Sequence, residues 1–165
     1  MYRTFVFVVE FNQEYTQKLI DGIECTGRTS IMSFPLGEKF IDHIIKQKIR
    51  RNDLLVVFLG YNFFDDYNHA LMNGIEILES VKKINPQVEV VMMANEDEKE
   101  YGAHVMKLGA FGFFPKDDSM VIRANNILLH LCGNRNLRAK KRLLLITFIV
   151  WLTLLCLLVG YFILF

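Results

Sequence analysis

One short apolar run constrains the fold of this chain more than any other feature. Leu54–Leu59 contains six consecutive apolar residues between the charged Asp53 and Gly60. A run of this length, bounded by polar residues and glycine, predicts a strand that is buried on both faces. Such strands lie in the middle of parallel sheets that helices cover. Functional residues of open parallel sheets gather at the carboxyl ends of the strands, and we assign this strand's end to Phe58.

Strands and helices are predicted to alternate along the first 132 residues. The strands are Thr4–Glu10, Thr29–Phe34, Leu54–Leu59, Val88–Met93 and Phe111–Phe114. The helices run from Asn12 to about Cys25, from Phe40 to about Arg51, from Gly74 to Ile84, from Glu96 to Leu108, and from Asp117 to Leu131. Alternation at this spacing predicts an α/β domain with a doubly wound, five-stranded parallel sheet. Residues 1–132 are enough to form a core of their own.

The C-terminal segment has a different composition. No charged side chain occurs from Leu143 to Phe165. A helix of that length reaches roughly 35 Å at about 1.5 Å per residue, which is enough to cross the hydrocarbon core of a bilayer. The sequence therefore predicts one transmembrane helix over 143–165.

A basic segment, 133–142, precedes this helix and is predicted to be a juxtamembrane linker. It holds five cations, which are Arg135, Arg138, Lys140, Lys141 and Arg142. Cations that flank a span remain on the cytoplasmic side and contact lipid head groups. We therefore expect a single-pass, tail-anchored protein of a bacterial inner membrane, with its N-terminal domain in the cytoplasm.

Charge and cysteine spacing exclude several functional classes. Removing the five cations from the 19 Lys and Arg leaves 14 against 18 Asp and Glu in residues 1–134. A net charge near −4 does not favour a nucleic-acid partner. Cys25, Cys132 and Cys156 have no metal-ligand spacing, and free thiols in a reducing compartment are expected. The sequence shows no catalytic Ser/His/Asp series, so we do not expect an enzyme.

Three segments resemble a known family. They are Gly74–Leu78, Val90–Ala94 and Gly109–Asp117, and the last of these is the most specific. Residues 4–132 resemble the receiver domain of two-component response regulators, which has the flavodoxin-like fold. The resemblance implies a switch in which an aspartate at the end of the third strand is phosphorylated. It further implies Mg²⁺ held by that aspartate and an acidic pair, a Ser/Thr and a Lys on the phosphoryl group, and a partner surface on the fourth helix, fifth strand and fifth helix.

The family positions fall largely on residues that lack the required chemistry. They are Glu10 and Phe11 for the acidic pair, Phe58 for the phosphoacceptor, Ala94 for the Ser/Thr, Lys116 for the lysine and Phe113 for the coupling aromatic residue. Mg²⁺ needs several oxygen ligands, and Glu10 alone is a weak metal candidate. We therefore predict that Glu10 pairs with Lys116, and we expect no Mg²⁺ and no other cofactor.

A second register remains open. Asp66 lies eight residues before Gly74, close to the family's usual interval between acceptor and glycine. If Tyr61–Asp66 were the third strand, Asp66 would be the acceptor. The simpler interpretation is an insertion of about eight residues after Phe58, within residues 60–73. Asp65 and Asp66 would then be solvated, and the aromatic residues beside them would form a lid or a partner contact.

Three functional hypotheses follow. The first is a non-phosphorylatable receiver-like domain, tethered to the membrane, that acts as a protein-interaction or scaffold module for a cytoplasmic or membrane partner. The alternative is a working phosphoacceptor of a phosphorelay that uses Asp66. The third is a sensor of a small ligand in the altered pocket.

Overall fold

The structure is a computed structural model that describes residues 3–24, 29–47, 50, 52–63 and 71–164, with the side chains of 96, 97, 99, 136, 138–142 and 154–164 excepted. The strands are β1 Thr4–Val9, β2 Thr29–Phe34, β3 Leu54–Gly60, β4 Glu89–Ala94 and β5 Gly112–Pro115. The helices are α1 Gln13–Gly22, α2 Gly37–Lys46, α3 Gly74–Ile84, α4 Gly102–Lys107 and α5 Met120–Leu164. A 3₁₀ helix over Glu96–Tyr101 precedes α4. The predicted alternation of five strands and five helices is confirmed.

The five strands form one parallel sheet in the order β2-β1-β3-β4-β5. β3 lies in the centre, and all seven of its residues are buried. The register pairs Val9 of β1 with Leu59 of β3, and Ala94 of β4 with Pro115 of β5. The residues that follow β1, β3, β4 and β5 therefore meet at one edge of the sheet. The buried central strand predicted from the Leu54–Leu59 run is confirmed.

Alternating side chains divide the strands between two apolar layers. One layer contains Leu55, Val57 and Leu59 of β3 and packs against buried residues of α2, α3 and α4. Phe58 points to the opposite face, where its ring lies 6.2 Å from the ring of Phe114 in β5. On that face α1 approaches α5 so closely that a side chain at Gly22 would collide with Val121.

Two predicted helices end earlier than the sequence suggested. α1 was expected to continue to about Cys25, but the Asn125 side chain forms hydrogen bonds with the backbone groups at the end of the helix. The Nδ2 group of Asn125 donates to the Gly22 carbonyl at 2.9 Å, and its Oδ1 accepts from the Glu24 N–H at 3.1 Å. α2 ends at Lys46 rather than Arg51 because Gln47 adopts an extended conformation, with its N–H still bonded to His43.

The single polar helix predicted over Glu96–Leu108 is divided in two. The Glu98 carboxylate accepts from the Asn95 N–H at 2.8 Å and so begins the 3₁₀ helix. A side chain at Gly102 would meet Phe113 Cδ1 at 3.0 Å, so α4 starts where the backbone comes close to β5. α4 closes at Gly109, which has φ 96, a conformation that glycine adopts without strain.

The chain divides into two compact units, residues 1–126 and 127–165. In the second unit, the predicted linker 133–142 and the apolar segment share the helical backbone of α5, which continues to Leu164. The apolar side chains described between Leu143 and Leu152 are all exposed. Within the described part of the chain, no helix combines the length and apolar composition needed to cross a membrane. The side chains of residues 154–165, which belong to the predicted transmembrane segment, lie outside that part.

Candidate functional site

Four residues gather where the strands end at the carboxyl edge of the sheet. Glu10 follows β1, Gly60 ends β3, Ala94 ends β4 and Lys116 follows β5. The register places Glu10 beside Gly60. The Lys116 N–H donates to the Ala94 carbonyl at 2.8 Å, which fixes the backbone of Lys116 against β4. The sequence correctly places Glu10, Ala94 and Lys116 at one edge of the sheet.

A buried ion pair occupies the centre of this site. Lys116 Nζ lies 2.8 Å from Glu10 Oε2, and the two side chains are only 4% and 2% exposed. The other carboxylate oxygen, Oε1, accepts a hydrogen bond from the Asn12 N–H at 3.1 Å. Oε2 receives no aligned hydrogen bond within the described residues, so its contact with Lys116 is mainly Coulombic. The structure contains the Glu10–Lys116 pair that the sequence predicts.

Tyr15 covers the ion pair from the first turn of α1. Lys116 Nζ lies 5.4 Å from the centre of the Tyr15 ring, and Lys18 Nζ lies 5.9 Å from the same ring. The Asn12 side chain caps α1 by accepting from the Glu14 N–H at 2.8 Å, which holds this turn in place. Tyr15 was not among the predicted site residues, because no sequence pattern shows that its ring faces Lys116.

Gly60, rather than Phe58, is the β3 residue that lies against the Glu10 carboxylate. A side chain at Gly60 would collide with Glu10 Oε2. Gly74 packs directly on the same place, since its N–H donates to the Tyr61 carbonyl at 3.0 Å. Phe58, to which the sequence assigned the phosphoacceptor position, is fully buried two residues earlier. In the sequence, Gly60 was recognisable as the glycine that ends the apolar run.

The other predicted positions have no side-chain oxygen to offer. Phe11 is 43% exposed at the end of β1, and Ala94 is buried. Phe113 is partly buried against the core and contacts Gly102. Beyond Lys116, the Asp117 carboxylate accepts from the N–H and hydroxyl of Ser119 at the start of α5. The Ser119 hydrogen bond, with help from Arg123, lowers the pKa of Asp117 below its ordinary value.

The aromatic segment after β3 is anchored on the domain. The Tyr61 ring stacks on Tyr101 with centroids 5.2 Å apart, and burial raises the pKa of the Tyr61 phenol. Phe63 is only 2% exposed and belongs to the core. The alternative strand Tyr61–Asp66 is wrong, because β3 ends at Gly60 and Tyr61–Phe63 lie beyond it. Asp66 itself, with Asp65, lies outside the described residues.

The described residues at this edge do not fit a magnesium ion. The ammonium group of Lys116 lies where a cation would approach Glu10 Oε2, and Oε1 is engaged by the Asn12 N–H. Phe11, Gly60 and Ala94 supply no carboxylate or hydroxyl, whereas Mg²⁺ needs near-octahedral oxygen ligands. Within the described residues, no three His, Cys, Asp or Glu side chains form a group that could hold a metal.

The five cations that the sequence predicts to orient the chain in a membrane belong to the second unit. Arg135 lies on the described part of α5. The side chains of the other four predicted cations, Arg138, Lys140, Lys141 and Arg142, lie outside the described residues, although their backbone is helical.

Solved structures with the same fold are response-regulator receiver domains. The receiver domain of NtrX from Brucella abortus has a TM-score of 0.59 and 18% identity, over 76% of this chain and 96% of that one. A receiver domain protein from Clostridium thermocellum has a TM-score of 0.61 and 18% identity, over 83% and 97%. DrrB, an OmpR/PhoB homologue from Thermotoga maritima, has a TM-score of 0.61 and 18% identity, over 81% of this chain and 54% of that one.

These likenesses establish the fold. The flavodoxin-like, five-stranded parallel sheet of receiver domains is confirmed for this chain. No protein-family model and no curated protein sequence matches it.

Proposed function

We propose that this chain is a non-phosphorylatable receiver-like domain, tethered to a membrane, that acts as a protein-interaction or scaffold module. The observation that carries this proposal is the buried Glu10–Lys116 pair beside Gly60. The Glu10 carboxylate takes the space that a β3 side chain would need, and the lysine of the receiver motif is engaged with it. The site keeps the receiver fold and one of its charges but has no group at Gly60 that could accept a phosphoryl group.

The chemistry of phosphoryl transfer supports a silent site. Transfer to a protein needs a nucleophile and neutralisation of the charge that develops on the phosphoryl oxygens. Gly60 has no side chain, Phe58 is a buried hydrocarbon ring, and Ala94 has no hydroxyl to donate. Lys116 is a cation at this edge, and its ammonium group already faces a carboxylate at 2.8 Å.

The composition of the tail supports the membrane tether. A helix that is apolar on all sides belongs in a protein core or a bilayer, and the described apolar side chains of residues 143–152 are exposed. The two threonines of the apolar segment 143–165 satisfy their hydroxyls within the helix, because Thr147 and Thr153 each donate to a backbone carbonyl three residues earlier at 2.8 Å. A hydrocarbon environment, in which unpaired polar groups are costly, therefore suits this segment.

The proposed location is a bacterial inner membrane, with the sheet domain on the cytoplasmic side next to the basic segment. Its partner is a cytoplasmic or membrane protein. The resemblance points to the surface of α4, β5 and the start of α5, where Met106 and Ile122 are exposed apolar side chains.

The phosphorylation part of this proposal is tested with acetyl phosphate and Mg²⁺. The wild-type chain should gain no phosphoryl group. The competing function is a phosphorelay acceptor at Asp66. A phosphoryl adduct that disappears in Asp66→Asn would establish that function and refute ours.

The tether is tested separately by protease treatment of membrane vesicles that contain the full chain. We expect the sheet domain to be digested when its side is exposed, while a fragment that includes residues 143–165 is protected. A chain that is recovered entirely in the supernatant after membranes are pelleted would contradict the tether without bearing on phosphorylation.

A further inference from the structure

β2 forms one outer edge of the sheet, and part of its main chain points away from β1. The Glu10 N–H donates to the Phe34 carbonyl at 3.1 Å, so Phe34 directs its main-chain groups toward β1. Successive residues of a strand direct their N–H and C=O groups to opposite edges. Ile31 and Ser33 therefore direct these groups outward. Within the described residues, the sheet has no strand beyond β2.

This outer edge lacks the features that usually protect an edge strand. Such strands are commonly very short, or they carry charged side chains, proline or a bulge, which discourage pairing with another chain. β2 has six residues, with no charged residue, proline or glycine among them, and its register with β1 is continuous. The opposite edge strand, β5, has four residues and ends in Pro115, which has no N–H. The edge of β2 is therefore suited to pairing with a further strand.

A second copy of β2 matches this edge by symmetry. In an antiparallel pair, opposite residues that direct their main-chain groups toward each other exchange two hydrogen bonds. With a two-fold axis at Ile31, Ile31 faces itself, and Ser33 faces Thr29 of the other copy. β-branched pairs and hydroxyl pairs are favourable across neighbouring strands. No charge meets a like charge, because β2 is neutral along its whole length.

We propose that the outer edge of β2 pairs with β2 of a second copy of this chain, antiparallel and centred on Ile31. The two five-stranded sheets then form one continuous sheet across the dimer. β5 lies at the opposite edge and stays uncovered by this contact. The pairing requires neither the membrane tether nor a silent phosphorylation site, so each of these proposals can fail without the others.

Cysteine cross-linking of the full chain in detergent tests the register. The native cysteines, Cys25, Cys132 and Cys156, are first replaced by Ser. Opposite hydrogen-bonded residues have Cα atoms about 5.5 Å apart, within the reach of a disulfide, so we expect Ile31→Cys to give a disulfide-linked dimer on mild oxidation. The matched control, Ser33→Cys, carries a more exposed thiol on the same strand. Its two copies lie about 13 Å apart along the pair and should not cross-link.

Charge added to the edge tests the contact without a new covalent bond. Ser30 and Ser33 are exposed, and replacing both by Lys places like charges along the pair, which opposes pairing. We expect the protein mass in detergent, measured by light scattering, to fall from dimer to monomer with an unchanged circular dichroism spectrum. The control replaces Gln13 and Gln87, which are exposed elsewhere, by Lys and should remain a dimer.

Each contrary result overturns the pairing. A wild-type chain that is monomeric in detergent, or a dimer that survives the two lysine substitutions in β2, would refute the proposed contact. Cross-linking of Ser33→Cys as efficient as that of Ile31→Cys would refute the register centred on Ile31. Should Ile31→Cys lose the native circular dichroism spectrum, the comparison of the two lysine variants decides.

Discussion

Among single residues, Glu10 determines the electrostatics of the candidate site. Its carboxylate is the partner of a lysine that is almost completely buried. We predict that Glu10→Gln lowers the free energy of unfolding by about 3–5 kcal/mol, because it leaves a buried ammonium group without a compensating charge. The measurement is urea denaturation of the sheet domain followed by circular dichroism. The control is Glu14→Gln, which removes the partner of Lys18 in a pair whose two side chains are exposed and should change stability little.

Gly60 is the second residue on which the site depends. Gly60→Ala adds a methyl group that collides with Glu10 Oε2, so we predict a loss of about 1–3 kcal/mol from overpacking. In the Glu10→Ala background the collision is absent, and the same substitution should be less harmful. Thermal unfolding of both single variants and the double variant gives this coupling. Equal effects in both backgrounds would show that Gly60 is needed for another reason. Gly133→Ala, where nothing lies within 4 Å, serves as the control.

The sequence was sufficient to pair the charged residues of the site but not to choose the β3 residue that lies beside them. Glu10 and Lys116 were paired correctly because both follow strands that end at the same edge. The acceptor position was assigned to Phe58 because residues 52–58 follow the strand pattern of the family. The register between β1 and β3, which pairs Val9 with Leu59, brings Gly60 to Glu10 instead. Phe58 and Gly60 share one face of the strand, so side-chain alternation alone cannot choose between them.

At the scale of elements, a buried carboxylate connects the start of β3 to the start of β1. Asp53 Oδ1 accepts from the Arg3 N–H, and Oδ2 accepts from the Arg3 guanidinium, both at 3.1 Å. Burial raises the pKa of Asp53, but these bonds and the charge of Arg3 outweigh burial and hold the pKa below its ordinary value of 3.8. The folded state therefore favours the ionised carboxyl, and this contribution to stability is present above pH 3.8.

The lowered pKa of Asp53 predicts that the stability of the domain depends on pH. As the pH falls from 3.8 through the lower pKa of the folded state, Asp53 takes up a proton and its stabilising contribution is lost. Asp53→Asn should lower the free energy of unfolding by about 1–3 kcal/mol near neutral pH. Below pH 3.8 the difference between wild type and variant should shrink. Denaturant titrations across this range measure it, and a difference that grows in acid would refute the assignment.

The end of α1 depends on α5 through one side chain. Asn125 bonds both the Gly22 carbonyl and the Glu24 N–H. Asn125→Ala leaves these two backbone groups without their partner, so we predict a loss of about 1–3 kcal/mol and faster hydrogen exchange in the last turn of α1. Its neighbour Asn126 is exposed, and Asn126→Ala is the matched control. Identical exchange in the two variants would show that α1 ends independently of Asn125.

The same contact explains why element boundaries were harder to predict than element order. Apolar runs and helical periodicity were sufficient for the order of strands and helices. Asn125, a hundred residues away in the chain, bonds the end of α1, and within the predicted Glu96–Leu108 helix Gly102 lies close against Phe113. Such distant contacts leave no local pattern in the sequence.

In the whole molecule, the receiver fold carries a site in which the buried lysine, Lys116, is already paired with a carboxylate of the same chain, Glu10. A switch needs an equilibrium that a modification can shift, and the modification must interact differently with the two states. In this chain Lys116 is engaged by Glu10, and the described residues at the end of β3 carry no acceptor side chain. We therefore propose that position at a membrane and a partner surface, rather than phosphorylation, determine the role of this domain.

The most direct test of this account is the intact mass of the full chain in detergent after incubation with acetyl phosphate and Mg²⁺. A phosphorylatable receiver domain treated in parallel confirms that the reagent is active. We predict that wild type and Asp66→Asn keep identical, unmodified masses. A wild-type chain that is heavier by the mass of one phosphoryl group, with Asp66→Asn unchanged, would contradict the account and identify a working phosphoacceptor.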